Sequence, residues 1–408
     1  MKVLFLAINA SIKGPRDGIT YPFIVKEMKA LAERGIDVFF LARHIATDCE
    51  IDGISYLSMD KLLESARWRR RAYAGAYFLR HLPELWRLAR LDIRRTANVI
   101  AAERSIGRAV DNYDIDIIHT HFLWPSGEAG VISGREHAIP VIATLRGAEL
   151  ADRPDIEYGS MRSAFFRRAT QISFPHVSHF TAPSRHLAEQ LTQNFAVPAD
   201  RVAYLPNGVE EIEAPSQRPP PTSRVRFLSI GRLHERKNLA VLIEAAISCS
   251  EHNLEIVIVG EGPLGPHLRG LIARHQLSNV VLHPEVSKQE LYALIAGADC
   301  LVHPSLYEGM PNVVLESLAL GRPCLVSDIP VHRELIEEGA NGWLFDPLRC
   351  DNLSEKMRWI AAHRKQLAEM GDRCCASVQR FSLARKIDGY LRLYGELGDR
   401  KRPSSSVS

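Results

Sequence analysis

No stretch of eighteen or more apolar residues occurs in this 408-residue chain, so no membrane-spanning helix is expected. Lys2 leads directly into an apolar run and no small-residue cleavage site follows, which argues against a secretory signal. Cysteine is scarce: seven, at positions 49, 249, 300, 324, 350, 374 and 375, an odd and scattered set. Several fall within apolar runs and read as reduced thiols of a cytoplasmic protein, not as a disulfide framework. The adjacent Cys374 and Cys375 match no metal-ligand spacing. Net charge is small, +3 with histidine neutral, and no nucleic-acid-binding motif accompanies it. Nucleic acid is therefore not expected as a partner.

The small positive excess is unevenly spread. Residues 1–210 hold 27 Lys+Arg against 24 Asp+Glu, and the remainder holds 24 of each. Arg67–Arg95 alone carries nine arginines and two acids, interleaved with Trp68, Tyr73, Tyr77, Phe78 and Trp86. An Arg-rich amphipathic segment with aromatics suits an anionic membrane surface. A solvated insertion packed on its own domain is the plainer alternative.

What the chain has in quantity is a strand–helix rhythm. Lys2–Ile8 reads as a strand, Thr20–Arg34 as a helix ended by Gly35, and Asp37–Leu41 as the next strand. Ile115–His119, Val141–Thr144, His179–Ala182 and Val202–Leu205 continue the series, and residues 225–345 repeat it. Such alternation predicts doubly wound parallel α/β sheets, and the length calls for two of them. The break is expected at Pro215–Ser223, which neither extends a helix nor pairs as a central strand. The predicted domains are 1–208 and 209–379, followed by a helix at about 380–397 and a polar tail at 398–408.

The chemistry concentrates in Ser305–Asp328. Glu308 and Glu316 stand eight positions apart across a loop and the start of a helix. Pro311 suits the first helical position, where a missing N–H costs nothing. The amides of Asn312 and Val313 would then face out of a helix N-terminus, a seat for an anion. Cys300–His303 and Pro323–Ser327 predict buried parallel strands on either side. A carboxylate at the lip of such a strand grips sugar hydroxyls while the helix end holds phosphate. Taken singly, Glu308 is an ion-paired loop acid and Glu316 a solvated helix acid; the string as a whole favours a sugar-nucleotide site.

A second string agrees with the first. The strand Val225–Ile230 is followed by Gly231-Arg232-Leu-His-Glu-Arg236-Lys237-Asn238. Gly231 lets backbone approach a ligand closely. Arg232 and Lys237 bring cations to a strand's C-terminal end, where open sheets bind ligands, and two cations stabilise a diphosphate leaving group. Arg236 reads as a solvated loop charge. Gly260-Glu-Gly262-Pro263 marks a strand-to-helix turn, a weak signal alone. His119-Thr-His121 ends a strand with both imidazoles on one side. It lacks a third ligand nearby, so no metal site is expected, and His119 reads as a strand-end histidine bonded to a carbonyl.

These strings resemble the donor-binding signature of the retaining GT-B glycosyltransferases of family 4, the glycosyl transferases group 1. The resemblance implies an α/β GT-B fold, two Rossmann-like doubly wound domains facing a central cleft, with the helix at about 380–397 crossing back onto the first. It implies that Glu308 contacts hydroxyls of the transferred sugar and that Glu316 accepts hydrogen bonds from the ribose diol. Arg232 and Lys237 would clamp the pyrophosphate, the Gly262 turn would meet the base, and His121 would contact the donor sugar. The candidate catalytic residues are thus His121, Glu308, Arg232 and Lys237. The candidate donor-binding residues are Gly18, Gly231, Gly262, Met310, Pro311, Asn312, Val313 and Glu316. No cofactor or metal is implied, only a nucleotide-diphosphate sugar as co-substrate.

Two departures from the pattern concern the acceptor side. The loop Asn9–Gly18 lacks the Gly-Gly that many relatives carry, leaving Gly18 as its donor-side glycine and Arg16 as an acceptor-side candidate. Thr144-Leu-Arg146-Gly-Ala-Glu149 has arginine where many relatives show histidine, and its guanidinium is expected to clamp an anionic group of donor or acceptor. The expected protein is a cytoplasmic, peripherally membrane-bound transferase acting on a saccharide or lipid-linked acceptor in envelope polysaccharide or glycolipid synthesis. A non-catalytic nucleotide-sugar-binding component of an assembly complex and a GT-B nucleotide-sugar epimerase remain the alternatives.

Overall fold

The computed structural model describes residues 1–7, 22–42, 45, 47–59, 92–213, 223–249 and 253–401. Arg16, Gly18, nearly all of the basic segment 67–95 and of the linker 215–223, and the tail beyond 401 lie outside the described residues. The chain divides into two compact units. One comprises Met1–Pro154, Tyr158–Leu205 and Lys386–Ser408; the other comprises Asp155–Glu157 and Pro206–Arg385.

The first unit is built on eight strands: β1 (Lys2–Leu6), β2 (Asp37–Ala42), β3 (Cys49–Ile51), β4 (Ile54–Ser58), β5 (Ile117–His121), β6 (Val141–Thr144), β7 (His179–Ala182) and β8 (Val202–Tyr204), in the order β3-β4-β2-β1-β5-β6-β7-β8. All neighbours are parallel except β3 and β4. Val3, Leu4, Phe5 and Leu6 are wholly buried, as befits a central parallel strand covered on both faces by helices. The β3–β4 hairpin was not foreseen from the sequence, although its turn, Asp52-Gly53, is the Asp-Gly pair such turns favour. Both residues have positive φ, 53° and 73°. The helix Leu383–Lys401 contributes Tyr390 and Tyr394, both fully buried, to this unit's core. Gly389 permits that seat, because a Cβ there would stand 2.3 Å from Leu205 Cδ2.

The second unit has six parallel strands: β9 (Val225–Ile230), β10 (Leu254–Val259), β11 (Val280–His283), β12 (Cys300–His303), β13 (Cys324–Ser327) and β14 (Gly342–Phe345), in the order β11-β10-β9-β12-β13-β14. After β14 come the helices Cys350–Ala362, Arg364–Glu369 and Gly371–Val378.

With the antiparallel β3 set aside, the strand order reverses once in each sheet, between β1 and β5 and between β9 and β12. Loops that leave adjacent strands on opposite sides of such a point part from each other and open a crevice at the strands' C-terminal ends. His121 ends β5. Gly231–Lys237 follow β9 and Pro304–Glu308 follow β12. Within the second unit the topology alone brings Gly231–Lys237 and Pro304–Glu308, distant in sequence, to one edge of the sheet.

Candidate active site

In the second unit, Glu308 is the hub. Its Oε1 lies 2.6 Å from Lys237 Nζ and its Oε2 lies 2.6 Å from Arg236 Nη1. His303 Nε2 donates to Oε1 at 3.1 Å. Burial alone would raise the Glu308 carboxyl, but Lys237 and Arg236 outweigh it and hold it well below the usual carboxylate range. Burial lowers His303 to about 4, so its imidazole is neutral at pH 7. One carboxylate with two cations leaves the cluster with a net positive charge, as an anion-binding site requires. The two loops are tied directly by Leu306 N donating to Arg236 O at 2.9 Å.

Arg236 corrects the sequence reading. Far from being a solvated loop charge, it bridges Glu308 and the Tyr307 carbonyl, 2.9 Å away, with its side chain 20% exposed. The structure pairs Lys237 with Arg236; Arg232 is exposed and makes no hydrogen bond or ion pair among the described residues. Spacing hid this because Arg236 sits in the short 3-10 turn Glu235–Lys237, which swings consecutive side chains to one carboxylate.

The helix behind Glu308 runs Asn312–Ala319, one residue later than expected. Pro311 is its N-cap, not its first residue, since Pro311 O accepts from Val314 N at 3.2 Å. Asn312 and Val313 therefore open the helix, ahead of its first closing bond. Met310 is buried, and its carbonyl accepts from Asn207 Nδ2 at 3.1 Å; the same amide reaches Asn312 Oδ1 at 2.9 Å. Glu316 is 14% exposed and ion-paired with Lys288, which the sequence reading did not single out.

Gly231, Gly260 and Gly262 line up across the turns after β9 and β10. A Cβ on Gly260 would lie 2.1 Å from Gly231 O, and one on Gly262 would lie 2.5 Å from Leu233 O. The resulting cavity, about 350 Å³, is lined by Leu233, Gly260, Gly262, Arg269, His283 and Pro284.

In the first unit, His119 and His121 stack at 4.8 Å with 20° between their planes, and both are fully buried. His119 bonds hydroxyls rather than a carbonyl: Nδ1 to Tyr394 Oη at 2.6 Å and Nε2 to Thr144 Oγ1 at 2.7 Å. Burial lowers it to about 3. His121 Nδ1 meets Arg146 Nη2 at 2.9 Å, whereas its Nε2 is buried without a partner among the described residues.

Arg146 is the second correction. The anion it clamps is internal: Nη2 lies 3.1 Å from both carboxylate oxygens of Glu27, a residue of the helix Pro22–Glu33. Lys386 Nζ adds a contact of 2.8 Å and Tyr390 Oη one of 3.3 Å. Glu27 was missed, though Ile24, Met28 and Leu31 mark the apolar stripe on which it falls. An acid on such a stripe signals a buried partner. Lys386 was missed likewise; it precedes Ile387 on the face that buries Tyr390 and Tyr394.

Two family models match the chain in turn. The glycosyl transferase 4-like domain matches residues 23–208, and glycosyl transferases group 1 matches residues 210–374. An uncharacterized glycosyltransferase of Methanocaldococcus jannaschii, MJ1178, is 24% identical over 291 residues, 71% of this chain and 78% of the relative. The putative colanic acid biosynthesis glycosyltransferase WcaL of Escherichia coli is 29% identical over 257 residues, 58% of this chain and 59% of the relative. The crystal structure of Anabaena HepE in complex with UDP-glucose superposes with a TM-score of 0.70 at 16% identity, covering 97% of this chain and all of that one, a likeness of fold. A sheet of mainly parallel strands in each unit, matched in turn by two glycosyltransferase domains, places this chain among the glycosyltransferases of GT-B fold.

Proposed function

We propose that the protein transfers a sugar from a nucleotide-diphosphate donor to a saccharide or lipid-linked acceptor, with retention of anomeric configuration and without a metal ion. The observation that carries this reading is Glu308 held between Arg236 and Lys237 beside the N-terminus of Asn312–Ala319. While they hold Glu308, both cations keep further N–H donors for a diphosphate, and the helix end adds amide donors and a positive dipole, so charge on the leaving group is offset without a metal. Glu308 then serves the sugar hydroxyls as an acceptor. With both oxygens already engaged by cations it binds rather than attacks. Glu316 takes the ribose diol, and the cavity beside Gly262 takes the base.

The acceptor side is read from the arginine- and aromatic-rich segment 67–95, which suits a protein working on lipid-borne saccharides at an anionic membrane face. The name of WcaL and the UDP-glucose bound to HepE make envelope saccharides and UDP-sugars the first substrates to try.

The test is nucleotide-diphosphate release from a panel of UDP-, GDP- and ADP-sugars, with and without a membrane lipid extract. One donor is expected to be consumed, faster with lipid, and Glu308→Gln is expected to slow it roughly ten- to a hundredfold, as for loss of a charged hydrogen bond. Product anomer assignment by NMR reads out retention. Tight nucleotide binding with no release under any condition would assign the chain a non-catalytic role instead.

A further inference from the structure

His121 has one ring nitrogen spoken for and one not, and the partner on the occupied side decides what the other can do. Arg146 Nη2 stands 2.9 Å from His121 Nδ1. A guanidinium has five N–H donors and no acceptor, and it does not lose its charge. The contact is a hydrogen bond only if Nδ1 offers its lone pair. A proton on Nδ1 would face donor to donor, and an imidazolium would set two cations against each other in a buried site. The single proton of the neutral ring therefore belongs on Nε2, which is buried and has no partner among the described residues.

We propose that Arg146 is a positioning residue that fixes His121 as a neutral imidazole protonated on Nε2, so that His121 donates a hydrogen bond to a ligand oxygen and acts neither as a base nor as a nucleophile. The inference rests on the sugar-transfer reading for the identity of that oxygen, a hydroxyl of the sugar or an oxygen of its phosphate. The remaining neighbours hold the arrangement in place. Phe5, 5.6 Å away, and His119 stack on the ring. Glu27 takes both its oxygens to Arg146 and one to Lys386, so the guanidinium is oriented and its charge offset. Glu149 accepts from the Arg146 and Gly147 amides at 3.1 and 2.7 Å and fixes the backbone that carries the guanidinium. Tyr390 donates to Glu27, and Tyr394 bonds His119. Of these groups none gives His121 Nδ1 an acceptor to donate to. Burial, Arg146 and His119 all act in the same direction on the ring, holding it neutral.

The experiment reads the ring directly. Full-length protein labelled with 15N-histidine is examined by long-range 1H–15N correlation between pH 5.5 and 8.5, with His121→Gln removing and so assigning the signal. The expected pattern is a neutral ring protonated on Nε2 throughout, and in Arg146→Met a mixture of tautomers that begins to protonate within the range. A wild-type ring protonated on Nδ1, or charged at pH 6.5, overturns the proposal, as does an unaltered pattern in Arg146→Met. The wild-type spectrum decides even if that variant does not fold. Turnover supplies the second arm. Glutamine keeps an N–H near the Nε2 position but is no base, so His121→Gln is expected within about tenfold of wild type and His121→Leu more than a hundredfold below it. Equal losses overturn the donor role. The spectrum needs no substrate, so failure of every donor sugar rejects the transferase reading and leaves the ring state to stand or fall alone.

Discussion

Glu27 is a carboxylate at 4% exposure that depends on Arg146 and Lys386, cations it meets only in the folded chain. Burial pushes its carboxyl up, yet the two cations more than reverse this and hold it at about 2, against an ordinary value of 4.5. Because the folded pKa is the lower one, the contribution is present above about pH 4.5 and is lost as pH falls toward 2. Its size is on the order of 3 kcal/mol. Glu27→Gln leaves two buried cations uncompensated and is expected to cost about 3–5 kcal/mol at pH 7, with the gap to wild type closing below pH 4.5. Urea unfolding across pH 3–7 measures this, and a pH-independent gap would show that packing rather than charge is lost. Glu308, Glu316 and Lys237 were legible in the sequence because each lies in a short string whose spacing is the signal. Glu27 was not, since its partners come from loops and helices far along the chain.

Elements were easier to read than single contacts. The buried strands announced themselves as apolar runs, and the helix Lys288–Gly297, opened by the capping box of Ser287 and Glu290, falls within the alternation expected over 225–345. What escaped were features set by single dihedrals: the Asp52-Gly53 hairpin, and Pro311 standing just outside its helix with ψ at 108°. The Gly260–Gly262 turn shows what such dihedrals do. Gly262 has φ at +157° and no room for a side chain against Leu233 O, so Gly262→Ala must distort the turn that borders the 350 Å³ cavity. Backbone strain of that kind costs roughly 1–3 kcal/mol. Nucleoside-diphosphate affinity, followed by calorimetry, is expected to fall about tenfold or more. Gly270, inside the helix Gly265–Arg274, is the control, because a Cβ added there would meet nothing within 4 Å. Gly270→Ala is expected to leave affinity alone and to add roughly 0.5–1 kcal/mol of stability.

At the scale of the whole chain, the alternation of elements predicted two sheets, and two are found. The return of the last helix to the first unit was implied by family resemblance and not by its pattern. An amphipathic stripe shows that a helix is covered without saying by what. Truncation after Arg385 removes Lys386, Tyr390 and Tyr394 together, stripping Glu27 and His119 of partners. Each large buried ring is worth about 3–5 kcal/mol, so the loss rivals the 5–15 kcal/mol of a typical domain. The first unit is expected to become protease-sensitive, with cleavage confined to residues before 206; uniform resistance would count against it. The same discontinuity bears on how the chain is made. On the ribosome, the second unit emerges complete while the first, though synthesised earlier, still lacks its closing helix. At 5–20 residues per second the wait for that helix is roughly 10–40 s. The first unit is thus begun before the second and completed after it.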